Sequence, residues 1–149
     1  MGFQRIGKGF DFNKKQMEFI EFQINAPEVI AENSKNWFLE GFRKGGGQTD
    51  DSLSGWSPRN SRNKTIKRNA ESKGKKESRL ILEGDLWNDI KVIVSTWSKI
   101  EIGTSNIKYA DRHNEGLKGM PKREFIGDSE KMNESNKKIL AGLIAKIFR

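Results

Sequence analysis

The stretch Tyr109 to Gly127, YADRHNEGLKGMPKREFIG, holds the only tyrosine and the only histidine of the chain and restricts its backbone at several points. Gly116 and Gly119 admit dihedral angles closed to other residues, Pro121 fixes its own φ, and a proline drives the residue before it, here Met120, toward extended conformation. From Pro121 onward, Lys122, Glu124 and Ile126 alternate with Arg123, Phe125 and Gly127, which suits a short extended strip with two different faces. The segment is expected to be a shaped connection between a strand-like region and a helical C-terminus, ordering a loop against a sheet.

The rest of the chain has to supply that sheet from limited material. Its 149 residues suit a single domain, 1–149, but only 34% are apolar and 32% are charged, so part of the chain is expected to lie outside the core. Four Trp and nine Phe argue against wholesale disorder. The absence of Cys excludes disulfides, thiolate catalysis and the common structural zinc sites, and makes an intracellular setting the simpler expectation. The first residues, MGFQRIGKGF, lack the apolar core of a signal peptide, Ile6 stands where a myristoylation motif has Ser or Thr, and Ile139 to Phe148 is too short an apolar run to span a bilayer. No membrane association is expected.

Hydrophobic spacing divides the chain into an N-terminal helical region (11–43), a flexible basic excursion (45–78), antiparallel strands with the organising loop (79–127) and a C-terminal helix (128–149). In the first region, Asp11 to Ile24 reads as one helix, with Phe12, Gln16, Phe19 and Gln23 on one line and Met17, Ile20 and Ile24 beside it. A second helix is expected to start at Asn25 as cap, with Pro27 in its first turn, and to run through Ile30, Trp37, Phe38 and Phe42 to about Arg43, where Gly41 and Gly45 to Gly47 end it. Gly, Ser, Asn, Asp and basic residues then dominate, with Leu53, Trp56 and Ile66 as anchors; Trp56, followed by Pro58, is placed to pin the start of the excursion.

Leu86 to Thr96 is strand-like, with Ile90, Val92 and Val94 on one face. Lys99 to Gly103 alternates again, and Thr96, Trp97 and Ser98 have the length of a hairpin loop. Asp128 is the expected N-cap of the last helix, whose stripe is Met132, Asn136, Ile139, Leu140, Leu143, Ile144, Ile147 and Phe148. The fold class is therefore α+β: a small antiparallel sheet flanked by N-terminal and C-terminal helices, with a long basic loop.

Charge is concentrated in that loop. Arg59, Arg62, Lys64, Lys67, Arg68, Lys73, Lys75, Lys76 and Arg79 face only Glu71 and Glu77, so nine less two gives +7 of the formal +8. The segment suits an acidic partner, either another protein or, through non-specific phosphate contact, DNA. It carries no aromatic side chain on which bases would stack, which favours the protein.

Constellations for catalysis are weak. His113 with Asp111 and Glu115 shares a face only in a strand, which the loop context disfavours, so a structural His113 packed near Tyr109 is expected. GKG at 7–9 and Gly45 to Gly47 lack the rest of a phosphate loop. Glu83, Asp85 and Asp89 surround a turn but lack the alternating oxygen ligands of a calcium loop. No catalytic residue, metal ligand or cofactor is expected.

Tyr109-Ala110-x-x-His113-Asn114-x-Gly116 followed by Pro121-x-Arg123-x-Phe125-x-Gly127 resembles the signature of the bacteriophage virion morphogenesis proteins, the Mu G-like tail-completion family. Trp56-x-Pro58 and Gly84-x-Leu86-x-x-x-Ile90 stand upstream in that family's order, and the resemblance covers about Trp37 to Arg149. Glu83, Asp89 and Glu124 depart from its usual residues. The resemblance implies a non-enzymatic virion or prophage assembly protein, made in the host cytoplasm and built into the particle at the head–tail joint or in tail completion. Its partners would be connector or tail proteins and further copies in a ring. Pro121, Arg123, Phe125 and Gly127 would anchor the loop, and Tyr109 and His113 would pack beneath it.

Overall fold

The computed structural model describes residues 9–57 and 85–149. A single long helix, α1 (Phe12–Lys44), opens it, followed by a 3-10 turn at Asp50–Ser52, a short helix α2 (Asp85–Asp89), strands β1 (Lys91–Ser95) and β2 (Ile100–Gly103), a short helix α3 (Ala110–Glu115), a second 3-10 turn at Leu117–Gly119, and α4 (Glu130–Ile147). The two strands pair antiparallel, and α1 and α4 flank them. This is the expected α+β arrangement. The basic residues from Arg59 to Arg79 lie outside the described residues, as do Pro58, Ile66 and Glu83.

The two expected N-terminal helices are one. Asp11 caps it by accepting the Lys14 N–H at 3.0 Å, and Pro27 lies in its interior rather than in a first turn. An interior proline cannot donate to the carbonyl four residues back, that of Gln23. Trp97, at the tip of the strand hairpin, donates its Nε1–H to that carbonyl at 2.6 Å, and its ring lies 5.7 Å from Phe22. The lost bond is thus replaced from a distant part of the chain. The stripe also stays in phase across the proline: positions 12, 16, 19, 23, 27, 30, 34, 38 and 41 follow one line at helical spacing.

Gly45 ends α1 in the left-handed conformation, φ 76°, and the Gly46 N–H returns to the Gly41 carbonyl at 2.8 Å. The chain from Gly45 to Ser57, expected to be flexible, is folded. Trp37 Nε1 donates to the Gln48 carbonyl and Gln48 Nε2 donates to the Trp37 carbonyl, at 2.8 and 3.1 Å. The Thr49 and Ser52 hydroxyls pair at 2.7 Å, and both residues are buried. The Trp56 N–H reaches the Gly45 carbonyl at 2.7 Å. The small polar composition that reads as a linker is here used side chain by side chain to satisfy backbone groups. Leu53, by contrast, is exposed and anchors nothing.

Leu86, expected at the start of a strand, is buried in the turn of α2, and pairing begins at Lys91. Ile90 is buried and Val92 and Val94 are half-buried, as alternation requires, while Ile93 is the extra residue of a bulge between Val92 and Val94. Thr96 and Lys99 exchange backbone hydrogen bonds, so the hairpin loop is the two-residue turn Trp97–Ser98, one residue shorter than expected.

The N-cap of α4 is Ser129, not Asp128: the buried Ser129 Oγ accepts the Met132 N–H at 3.3 Å. Asp50 supplies the carboxylate instead, accepting the Glu130 N–H at 3.2 Å while its own N–H donates to the Asp128 carbonyl at 2.7 Å. Along the α1–α4 contact, Asn136 accepts from Asn33 Nδ2 at 2.7 Å and donates to Ser34 Oγ at 2.9 Å. Of the expected stripe, Ile147 is buried, whereas Ile144 and Phe148 are exposed. The core is the cluster of Phe42, Trp56, Leu86, Ile90, Ala110 and Phe125, flanked by Leu39, Trp87, Ile102, Ile107 and Ile126.

Candidate functional site

The segment from Tyr109 to Gly127 is built in two halves that clasp each other. The first contains α3, a helical turn where a loop is expected from sequence. It ends at Gly116, φ 74°, where a Cβ would stand 3.0 Å from the backbone nitrogen of Lys122, so the crossing chain fits only against glycine. The second half returns across it. Arg123 N–H donates to the His113 carbonyl at 2.8 Å. The Asn114 side chain then binds three backbone groups: its Oδ1 accepts from Phe125 and Ile126 at 2.9 and 3.1 Å, and its Nδ2 donates to the Ile126 carbonyl at 3.0 Å.

That clasp is fastened to the body at several points. Trp56 Nε1 donates to the Glu124 carbonyl at 2.9 Å, and Arg123 Nε donates to the Ser57 carbonyl at 3.2 Å. Arg123 and Phe125 are 4% and 3% exposed. The Phe125 ring lies 5.6 Å from that of Phe42, which meets Trp56 edge-on at 5.4 Å. Lys122 pairs with Asp51 at 2.7 Å and with Glu124 at 3.4 Å, and its Nζ is held above the ordinary value of 10.5 by the Asp51 hydrogen bond first.

The geometry brings Arg123, Phe125, His113 and Gly116 together and leaves Pro121 at the surface. Gly127 faces the Glu124 carboxylate: a Cβ on Gly127 would stand 2.7 Å from the Glu124 Cδ, so a side chain there would displace it. Tyr109 stacks edge-on against His113 at 5.7 Å. Its phenol is raised above 10.0, first by partial burial and then by the charge of Asp85.

Asp89, a candidate cation ligand by its place beside a turn, accepts the N–H groups of Ser105 and Asn106 at 2.8 and 2.9 Å and so closes the turn after β2. The Asn106 bond above all holds its carboxyl below the usual 3.8. Among the described residues, no group of three or more His, Asp or Glu side chains is placed to hold a metal, and no helix is long and apolar enough to cross a membrane.

A second feature emerges only with the fold. The buried residues of α1 begin at Ala26; N-terminal of that point Trp97 packs on Phe22 and bonds the Gln23 carbonyl, and the large apolar residues of the stripe are exposed. Phe12 is 77% exposed, Met17 60%, Phe19 41%, Ile20 40% and Ile24 70%. At 100° per residue these side chains fall on the same arc as Ile30, Ala31, Phe38 and Phe42, which the body buries. The apolar spacing is visible in the sequence, but only the fold shows that these five side chains stay exposed while Trp97 of the hairpin packs beside them on Phe22 and Gln23. Asn114 and Trp97 also acquire their roles here, one inside the motif and one in the hairpin turn; neither bond pattern has a signature at short range.

Comparison with protein-family models, with curated proteins and with solved structures finds no match for this chain.

Proposed function

We propose that this chain is a structural phage or prophage virion-assembly protein, acting at the head–tail joint or in tail completion through protein–protein contacts. The observation that carries this reading is the exposed N-terminal stripe of α1, five large apolar side chains in line with the core stripe of the same helix. Apolar surface aligned in this way marks a place where another protein binds. The motif residues that carry the family resemblance support the reading in a second way. His113, Asn114, Arg123 and Phe125 serve to hold the loop to the body, as an assembly component of fixed shape requires.

In this reading the partners are connector or tail proteins and further copies of the chain arranged in a ring, which forms where a heterologous contact closes on rotation. The chain resides in the virion after assembly in the host cytoplasm, and it transforms no substrate. The test is quantitative mass spectrometry of purified particles produced by the phage or prophage that encodes it. The expected result is a fixed copy number per particle, lost together with head–tail joining when Ile20→Glu replaces the native chain. Particles of normal composition and infectivity without the chain would overturn the proposal.

The charge of residues 59–79 favours one alternative, a DNA-contacting accessory protein. It predicts duplex retention that weakens steeply with salt and disappears when Lys64, Lys67, Arg68, Lys75 and Lys76 are neutralised, with particle assembly intact.

A further inference from the structure

We infer that the outer edge of β2 takes up an extended segment of another polypeptide as a third strand, one with apolar residues at alternate positions and a basic residue between them. The site is the groove between β2 and α4, apart from the exposed stripe at residues 12–24, and it holds independently of the role proposed above.

Backbone geometry selects a strand. Thr96 and Lys99 exchange hydrogen bonds across the hairpin turn, and bonded positions alternate along an antiparallel pair. Ser95 and Ile100 are therefore a non-bonded pair, Val94 and Glu101 a bonded one and, past the bulge, Val92 and Ile102 again a non-bonded one. The N–H and C=O groups of Ile100 and Ile102 consequently point away from β1. Among the described residues, no backbone or side-chain group bonds them. A donor and an acceptor on each of two residues, spaced two apart, are what an added strand pairs with. A helix bonds its own backbone internally and would leave them unmet.

The two edges of the sheet differ. That of β1 is interrupted at Ile93 by the bulge, one of the devices that keep an edge from pairing. β2 runs regularly from Ile100 to Gly103, without proline, and its two residues on the helix side, Ile100 and Ile102, carry no charge. Ile100 is 39% exposed.

The groove defines the side chains of the occupant. A cavity of about 490 Å³ opens beside Ile100 and Ile102, walled by Ile30 and Phe38 of α1, by Ile126 and by Met132 of α4, and lies in the size range of sites that take a ligand. Residues of an added strand opposite Ile100 and Ile102 turn toward this apolar wall, and the residue between them turns to the other face with Glu101. Among the described residues lining the groove, Glu101 alone is charged. A basic residue opposite it is favoured and an acidic one opposed.

The test presents the full chain to a displayed library of random short peptides. The expected result is enrichment of an apolar, a basic and an apolar residue in succession. Glu101→Lys changes a side chain that is 42% exposed, and the same selection on it is expected to return an acidic residue at the centre with the apolar neighbours kept. With an enriched peptide bound to the native chain, amide exchange at Ile100 and Ile102 should slow by about tenfold or more, while Val94 and Glu101, already bonded within the hairpin, do not change. Ile100→Pro removes one outward donor and leaves the bonds to β1 in place, so it should weaken the peptide about tenfold. The exchange measurement needs no variant and stands whether or not the proline chain folds.

No enriched pattern, apolar residues recurring three or four apart as in a helix, or a centre residue unmoved by Glu101→Lys would each overturn the inference. So would exchange at Ile100 and Ile102 that ignores the peptide, or that slows with the concentration of the chain alone, which would mark a second copy as the occupant.

Discussion

Asn114 offers the sharpest test of how the loop is held. Its side chain replaces a missing stretch of secondary structure, making three hydrogen bonds of 2.9 to 3.1 Å to the backbone of Phe125 and Ile126. Each such bond is worth about 1 kcal/mol net, and a part-buried amide left without its acceptor costs about 1–3 kcal/mol. Asn114→Ala removes all three and leaves two such amides, so a loss of about 2–4 kcal/mol is expected. Asn114→Asp retains the acceptor, charged and therefore stronger, but loses the donor and sets a carboxylate beside the Ile126 carbonyl. A smaller loss of about 1–2 kcal/mol follows. Urea unfolding monitored by tryptophan fluorescence reads both, against a total stability of about 5–15 kcal/mol for a domain of this kind. Amide exchange at Phe125 and Ile126 should accelerate in the alanine variant and less in the aspartate variant. A loss below about 0.5 kcal/mol for Asn114→Ala, or equal losses for the two, would refute the reasoning, since either means that these bonds contribute less than solvent does.

Four further outcomes follow from the structure. Gly46→Ala places a Cβ 2.7 Å from the Trp56 nitrogen at φ 105° and should cost about 3 kcal/mol or more, whereas Gly47→Ala, strained at φ 83° but with room around it, should cost about 1 kcal/mol; urea midpoints check the ordering. Trp97→Phe should cost about 1 kcal/mol more in the native chain than in a Pro27→Ala background, because only beside the proline does the indole replace a missing helix bond; a double-mutant cycle measures this. The single tyrosine, followed by near-ultraviolet absorbance, should titrate above 10.0 in the folded chain and close to its ordinary value in denaturant. Its raised phenol contributes stability that is present below pH 10.0 and lost as pH climbs through the folded value. Asp89 has the opposite sign: its depressed carboxyl contributes above pH 3.8 and loses that contribution as pH falls through the folded value, so Asp89→Asn should flatten the acid limb of the stability profile.

The parts of this fold that are legible in sequence are those set by short-range spacing. Val92, Val94 and the Lys99 to Gly103 alternation point to the hairpin because a period of two is visible within five residues. The special backbone of Gly116 follows from the glycine itself, and the alternation from Lys122 to Gly127 sets Arg123 and Phe125 on one face without saying that this face turns inward. Local signals mislead where a distant partner answers them. Pro27 is a sound helix start by itself, but Trp97, far along the chain, supplies the bond it forfeits. Gly45 to Ser57 has the composition of a linker, yet Trp37 and Gln48 exchange bonds that tie it to α1. Asp128 is as good a cap as Ser129 by residue type, and the choice falls to Ser129 because the Asp50 backbone occupies the Asp128 carbonyl. The bare stripe of α1 is hidden for a related reason: periodicity shows that a face is apolar but not where the body covering it stops.

Hydrogen exchange, followed peptide by peptide on the free chain and on the chain in assembled particles, tests the central claim most directly. The account predicts that amides of residues 12–24, whose large apolar side chains are exposed, exchange fast in the free chain and slow markedly in the particle, while those of β1 and the loop from Tyr109 to Gly127 do not change. Exchange at residues 12–24 that is the same in both, or protection that arises at that loop instead, would contradict it.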